Sequence, residues 1–170
     1  VLGTTLLPPM LEAAGRNVAR GRGDVAIYSV AQTSEKRADV SPLPEVSERP
    51  ADEVVAELIE SLPKQHLHAA TVALGNTELE GPWGKGRAYE WSDAIEAAQL
   101  VARVCGVDLD VEAAEYLPWH PGRCAALKVD GQVVGHAGEL HPQILEKPNL
   151  PVRTCAMEID LTAIPLAERL

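Results

Sequence analysis

Two clusters in this chain carry the residue types that chemistry needs. The first is His120-Pro121-Gly122-Arg123, a turn sequence with an imidazole and a guanidinium. The second is Gly138-Glu139-Leu140-His141-Pro142, with His136 close by. A glutamate among histidines invites a metal reading. The spacing is neither H-E-x-x-H nor a Cys/His zinc pattern, so no metal ligand is assigned. Glu139 is read instead as buried or half-buried and paired with backbone or with His141. Arg123 either meets a binding partner, or pairs with a local carboxylate and holds the turn. His120 is read as exchanging local hydrogen bonds. His66 and His68 share one face of a strand but have no third ligand near them in sequence. Gly81-Pro82-Trp83-Gly84-Lys85-Gly86-Arg87 lacks the G-x-x-x-x-G-K-[ST] order of a phosphate loop and reads as a surface loop, with Trp83 as a possible exposed anchor.

Composition narrows the function classes. The chain has 170 residues, 46% of them hydrophobic and 24% charged, the balance of a globular protein with a core of its own. It has no Phe, so that core rests on Leu, Val, Ile and Ala. The formal net charge of -10 makes it a poor principal surface for a phosphate backbone. Cys105, Cys124 and Cys155 are odd in number and widely spaced, which fits reduced thiols in a cytoplasmic protein. No apolar run reaches the ~18 residues of a membrane span, and the start has no signal-peptide pattern. It also has no initiator Met, which suggests a piece of a longer chain.

The elements that position these residues follow from periodicity. Met10, Leu11, Ala14 and Val18 predict a helix over 9–19, opened by prolines and stopped near Gly21. Residues 25–31 are β-prone. The polar, proline-containing stretch 33–50 reads as a surface loop. Val54, Val55, Leu58, Ile59 and Leu62 form one stripe on a helix over 51–62. Residues 68–74 read as a buried strand and 76–88 as a loop. A third helix follows, capped by Ser92 or Asp93 and ended by Gly106. Residues 111–116 form a strand, and Asp130-Gly131 predicts a two-residue hairpin between two more. A short helix spans 142–147, and the closing strand 154–161 puts Cys155, Met157, Ile159 and Leu161 on one face. The result is a single α+β domain over 1–170, an antiparallel sheet with helices on one face.

Several segments, in order, resemble one family. His120-Pro121-Gly122-Arg123-Cys124-Ala125, the Asp130-Gly131 hairpin and Gly138-Glu139-Leu140-His141-Pro142 are similar to H-P-G-R-S-A, a D-G hairpin and G-E-L-H-P in the catalytic-like domain of the bacterial phenylalanine–tRNA ligase β subunit. Residues 2–12 resemble its L-R-T-S-L-L-P-G-L-L-E, and Arg20-Gly21, Asp24 and Ile27-Tyr28 its R-G, D and L-F. The chain departs from the pattern at Gly3, where Arg is usual, and at Cys124, where Ser is usual. Of the family's F-D-x-K-G stretch only Asp93 survives. The resemblance implies a class II synthetase-like antiparallel sheet flanked by helices. It implies a non-catalytic module working with the α subunit in an (αβ)2 heterotetramer, which uses ATP and Mg2+ and meets tRNA through other domains. Proofreading and anticodon recognition would lie outside this sequence. Free-standing paralogues and simple binding modules with the same fold are the alternatives.

An active class II site grips the triphosphate with arginines and needs glycines where the nucleotide meets the backbone. Here the matching closing strand carries Glu158 and Asp160 at the glycine positions and Ala163 at the arginine position. No Arg lies between Arg153 and Arg169, and the only cations near the strand over 27–32 are Lys36 and Arg37. No catalytic or cofactor-binding residue is therefore assigned. His120, Pro121, Gly122, Arg123, Gly138, Glu139, His141 and Pro142 remain as motif residues with a structural or subunit-contact role.

Overall fold

A computed structural model describes residues 3–35 and 49–165. In chain order the elements are α1 (Leu7–Ala19), β1 (Val25–Ser34), α2 (Asp52–Ser61), β2 (Gln65–Leu74), β3 (Asn76–Glu78), β4 (Arg87–Ala88), α3 (Trp91–Cys105), β5 (Asp110–Ala114), β6 (Trp119–Val129), β7 (Gln132–Leu140), α4 (Pro142–Glu146) and β8 (Cys155–Asp160). Six strands form one sheet in the order β1-β2-β8-β7-β6-β5, and β3 pairs with β4 separately. Every neighbouring pair is antiparallel. The chain is thus α+β, as its patterning predicts.

The helices are not confined to one face. Leu7, Met10, Leu11 and Ala14 of α1, with Leu145 of α4, pack on Ala70, Val72 and Leu74 of β2 and on Ala156 of β8. Ala94 and Ala98 of α3 pack on Ala69 of β2, Ala137 of β7, and Met157 and Ile159 of β8. Along β2 and β8 the two sets alternate, so they occupy opposite faces. The near-continuous apolar run His68–Leu74 is the pattern of a strand buried on both sides. The stripe predicted on β8 is only half of its burial. Alanines at the contacts let both helices approach closely, which suits a core without Phe.

Several boundaries differ from expectation. Helix α1 begins two residues early, at Leu7, with Pro8 and Pro9 in its first turn where they cost no hydrogen bond. Strand β1 extends into the expected loop. Thr33 and Ser34 are buried, and the Ser34 N–H donates to the Gly3 carbonyl at 2.9 Å. Residues 36–48, including Lys36 and Arg37, lie outside the described residues. The predicted stripe of α2 is only half-buried among the described residues, at Val54, Val55 and Leu58, and none of its residues is fully buried. The expected loop 76–88 contains the β3–β4 pair. The 130–131 hairpin forms as predicted, with Val129 opposite Gln132 and positive φ at both turn residues.

Helix α3 has Glu90 as its N-cap, ahead of the predicted Ser92 or Asp93, and ends as expected with Gly106 left-handed. Asp93 lies one turn in and accepts the Glu90 N–H at 2.7 Å. It also takes two hydrogen bonds from Arg87, at 3.0 and 2.8 Å. The Arg87 guanidinium and the Glu90 N–H together hold the Asp93 carboxyl below the usual carboxylate range. A depressed pKa adds stability above the unfolded-state value and loses it as pH falls through the folded one. Asp93→Asn is therefore expected to destabilise by about 1 kcal/mol at neutral pH. That gap from the wild type should close below pH ~4 in urea melts. A gap independent of pH would remove the charge from this account.

Candidate functional site

Two carboxylates on the central strands organise the polar interior, one on each face of the sheet. On the α1 face, Glu158 of β8 is buried beneath the start of α1. A helix start leaves its first N–H groups without intrahelical partners. Pro8 and Pro9 remove two of them. The Leu7 N–H donates to Thr5 Oγ1 at 3.2 Å, and the Leu6 N–H donates to Glu158 Oε1 at 3.0 Å. The Thr5 hydroxyl donates to Glu158 Oε2. The Glu158 carboxylate is thus a tertiary cap for the helix, placed where the helix dipole favours negative charge.

The antiparallel register brings histidines to the same place. His68 of β2 lies opposite Asp160, and Ala70 opposite Glu158. His68 Nδ1 is 2.7 Å from Glu158 Oε1. His66 Nδ1 is 2.8 Å from Asp160 Oδ2, and its Nε2 is 3.2 Å from Glu35 Oε1. The two acids that would repel a triphosphate are therefore partnered from within the protein. Sequence reasoning found the histidine pair and the acid pair separately and did not join them. Their common i, i+2 spacing on two apolar strands was the available signal.

On the α3 face the two motif clusters meet. Strand β6 jumps in register between Trp119, opposite Leu140, and Cys124, opposite Gly138. His120-Pro121-Gly122-Arg123 fills this bulge, with Gly122 at φ 78°. Arg123 Nη1 donates to both oxygens of Glu139, each at 2.8 Å. Glu139 is buried and the arginine half-exposed. Its partner is therefore Arg123 and not His141, because the bulge aims the guanidinium across the strand while His141 is already past the strand end. Gly138 has φ 150°, and a Cβ there would lie 2.0 Å from the Arg123 carbonyl oxygen, so the two clusters fit only around a glycine. His141 caps α4, its Nδ1 accepting from the Gln143 N–H at 3.3 Å ahead of Pro142. His120 Nδ1 contacts the Pro121 carbonyl, and its ring lies 6.0 Å from that of His141.

Other candidates separate from these clusters. Trp83 is 98% exposed on a turn bridged by Gly81 and Gly84, which opens no helix. Cys124 and Cys155 are buried free thiols. Burial raises the pKa of both, that of Cys155 to about 12, so neither is a thiolate at neutral pH. No helix among the described residues is long and apolar enough to cross a membrane. A cavity of about 510 Å3 opens between the start of α1, the β5–β6 connection, and His136 and Glu158. Among the described residues no Lys or Arg lines it.

The Arg123–Glu139 pair is testable by a double-mutant cycle. Arg123→Ala leaves a buried carboxylate without its cation and should cost about 1–3 kcal/mol. Adding Glu139→Gln should recover part of that loss, with a coupling of about 1 kcal/mol in urea melts. Strictly additive effects would show that the pair contributes nothing jointly.

Comparison with known proteins matches residues 1–161 to the family described as the phenylalanyl tRNA synthetase beta chain CLM domain. The chain is 63% identical over its whole length to the phenylalanine–tRNA ligase beta subunit of Corynebacterium efficiens, covering 20% of that relative. It is 61% identical to that of Corynebacterium glutamicum, covering all of this chain and 20% of the relative. For Nocardia farcinica the identity is 53% over 98% of this chain and 20% of the relative. The chain therefore spans about a fifth of the length of these relatives.

Proposed function

This chain belongs to the phenylalanyl tRNA synthetase beta chain CLM-domain family, and from that premise we propose that residues 1–170 act as one non-catalytic module of a phenylalanine–tRNA ligase β subunit. The six-stranded antiparallel sheet, covered by helices on both faces, supports reading the fold as class II synthetase-like. The observation that carries the non-catalytic reading is the Glu158 constellation. A class II site would put a triphosphate against this strand. Here the strand presents carboxylates, and two like charges ~4 Å apart repel by about 4 kcal/mol at an effective dielectric constant of ~20. Glu158 is held in place by Leu6, Thr5 and His68 and cannot swing aside without leaving donors unsatisfied.

In this reading the α subunit performs the aminoacylation with ATP and Mg2+. The module shapes the α subunit's surroundings within an (αβ)2 assembly in the cytoplasm. Contact with tRNA falls to other parts of the complex, in keeping with the net charge of -10 here. The eight residues from His120 to Pro142 that form the motif clusters serve to build the scaffold, with Arg123, half-exposed, also available to a neighbouring subunit.

Two measurements test this. The chain, and the full-length protein, should co-purify with the cognate α subunit and support its aminoacylation, with Arg123→Ala reducing recovery. Calorimetry of the chain with ATP should give no saturable heat. Stoichiometric ATP binding, or pyrophosphate exchange without α, would overturn the proposal.

A further inference from the structure

The cavity beside α1 has a lining that neither the scaffold role nor the family assignment explains. Its aromatic wall is a set of three rings. Tyr116 and His136 stack with centroids 3.9 Å apart and planes 4° apart. Trp119 tilts against both, at 6.1 and 5.6 Å. Leu7, Leu11 and Ile144 also line it. Tyr116 remains 55% exposed and His136 is half-buried, whereas Trp119 is buried behind them, so Tyr116 and His136 are the rings open to the cavity. A volume of about 510 Å3 with a mostly apolar lining and few polar groups falls in the range of small-molecule sites.

The polar groups decide the ligand class. Among the described residues no Lys or Arg lines the cavity, so a phosphate or carboxylate would meet no counter-charge from them for its lost hydration. The one charged group, Glu158, is already engaged by Leu6, Thr5 and His68, so it does not call for a cation. His136 is different. Its ring nitrogens make no hydrogen bond among the described residues, although the ring is half-buried. Burial lowers its pKa below the ordinary value, which keeps the imidazole neutral and leaves it one donor and one acceptor. Trp119 cannot substitute, since its N–H donates to the Ala156 carbonyl at 2.9 Å.

We propose that this cavity is a binding site for a small uncharged aromatic molecule bearing one hydrogen-bonding group, held by contact with Tyr116 and by one hydrogen bond to His136. The site is independent of the ligase reading, since it rests only on this lining.

The test uses the full-length protein, with saturation-transfer NMR and calorimetry. The probes are indole (neutral), benzoate (anionic) and tryptamine (cationic). Indole should bind saturably, with the two charged probes about tenfold weaker or worse because the cavity does not compensate their charge. Tyr116→Ala should weaken indole about three- to tenfold through loss of ring contact. His136→Phe keeps a ring in place and removes the hydrogen bond, and should weaken it about three- to fivefold. Melting curves confirm that each variant is folded, and both substitutions are at rings that the solvent or the cavity reaches. Absence of saturable indole binding, indole binding unchanged in both variants, or benzoate binding as tightly as indole would each overturn the proposal.

Discussion

The burial of Glu158 constrains much of this structure. A carboxylate removed from water is costly unless its lone pairs are met. Its three donors come from two places far apart in sequence: the Thr5 hydroxyl and Leu6 N–H at the start of the chain, and the His68 imidazole on β2. Meeting them ties α1, β2 and β8 together at one point. Helix α1 lays Leu7, Met10, Leu11 and Ala14 across the sheet from that point. The hydrophobic contacts on this face supply the larger energy, but they are non-directional. The carboxylate is what fixes where the helix begins.

The same interaction has a chemical consequence. The start of a helix is a ready seat for an anion, because unpaired N–H groups and the dipole converge there. In this chain the seat at α1 is filled by a side chain of the protein itself. Two prolines in the first turn further reduce the number of free donors. A nucleotide would have to displace a carboxylate that is covalently part of the sheet, at high effective concentration. The proposed non-catalytic role therefore rests on this filled helix start as well as on the carboxylates of β8.

Much of the fold was legible in the sequence where a local rule decides it. Asp130-Gly131 specifies its hairpin because both positions need positive φ, and Gly106 ends α3 for the same reason. The two-sided burial of β2 and β8 was less legible, because alanine reads as weakly apolar although Ala70, Ala98, Ala137 and Ala156 are almost fully buried. The candidate site was legible only in part. The His120-to-Arg123 and Gly138-to-Pro142 clusters stood out as motifs, but the bulge that joins Arg123 to Glu139 is a property of the β6–β7 register. The Glu158–His68 pairing was hidden for the same kind of reason: 90 residues separate the partners, and only the sheet order places them side by side. Helix α2 shows the opposite case, where a clear amphipathic stripe is only half-buried among the described residues.

The two buried acids also divide the work between the faces of the sheet. Glu139 on β7 projects toward the α3 side and Glu158 on β8 toward the α1 side, and each finds a cationic or protonatable partner on a neighbouring strand. Such pairs add little net stability compared with apolar residues of the same volume, since desolvation offsets most of the attraction. Their value is in excluding alternatives. A one-residue slip of β7 or β8 would turn its glutamate into the opposite apolar layer with no partner, a penalty that an alanine-rich strand could not impose through shape alone. Small side chains allow close helix–sheet packing but discriminate poorly between registers, and the paired carboxylates supply the discrimination that the core lacks.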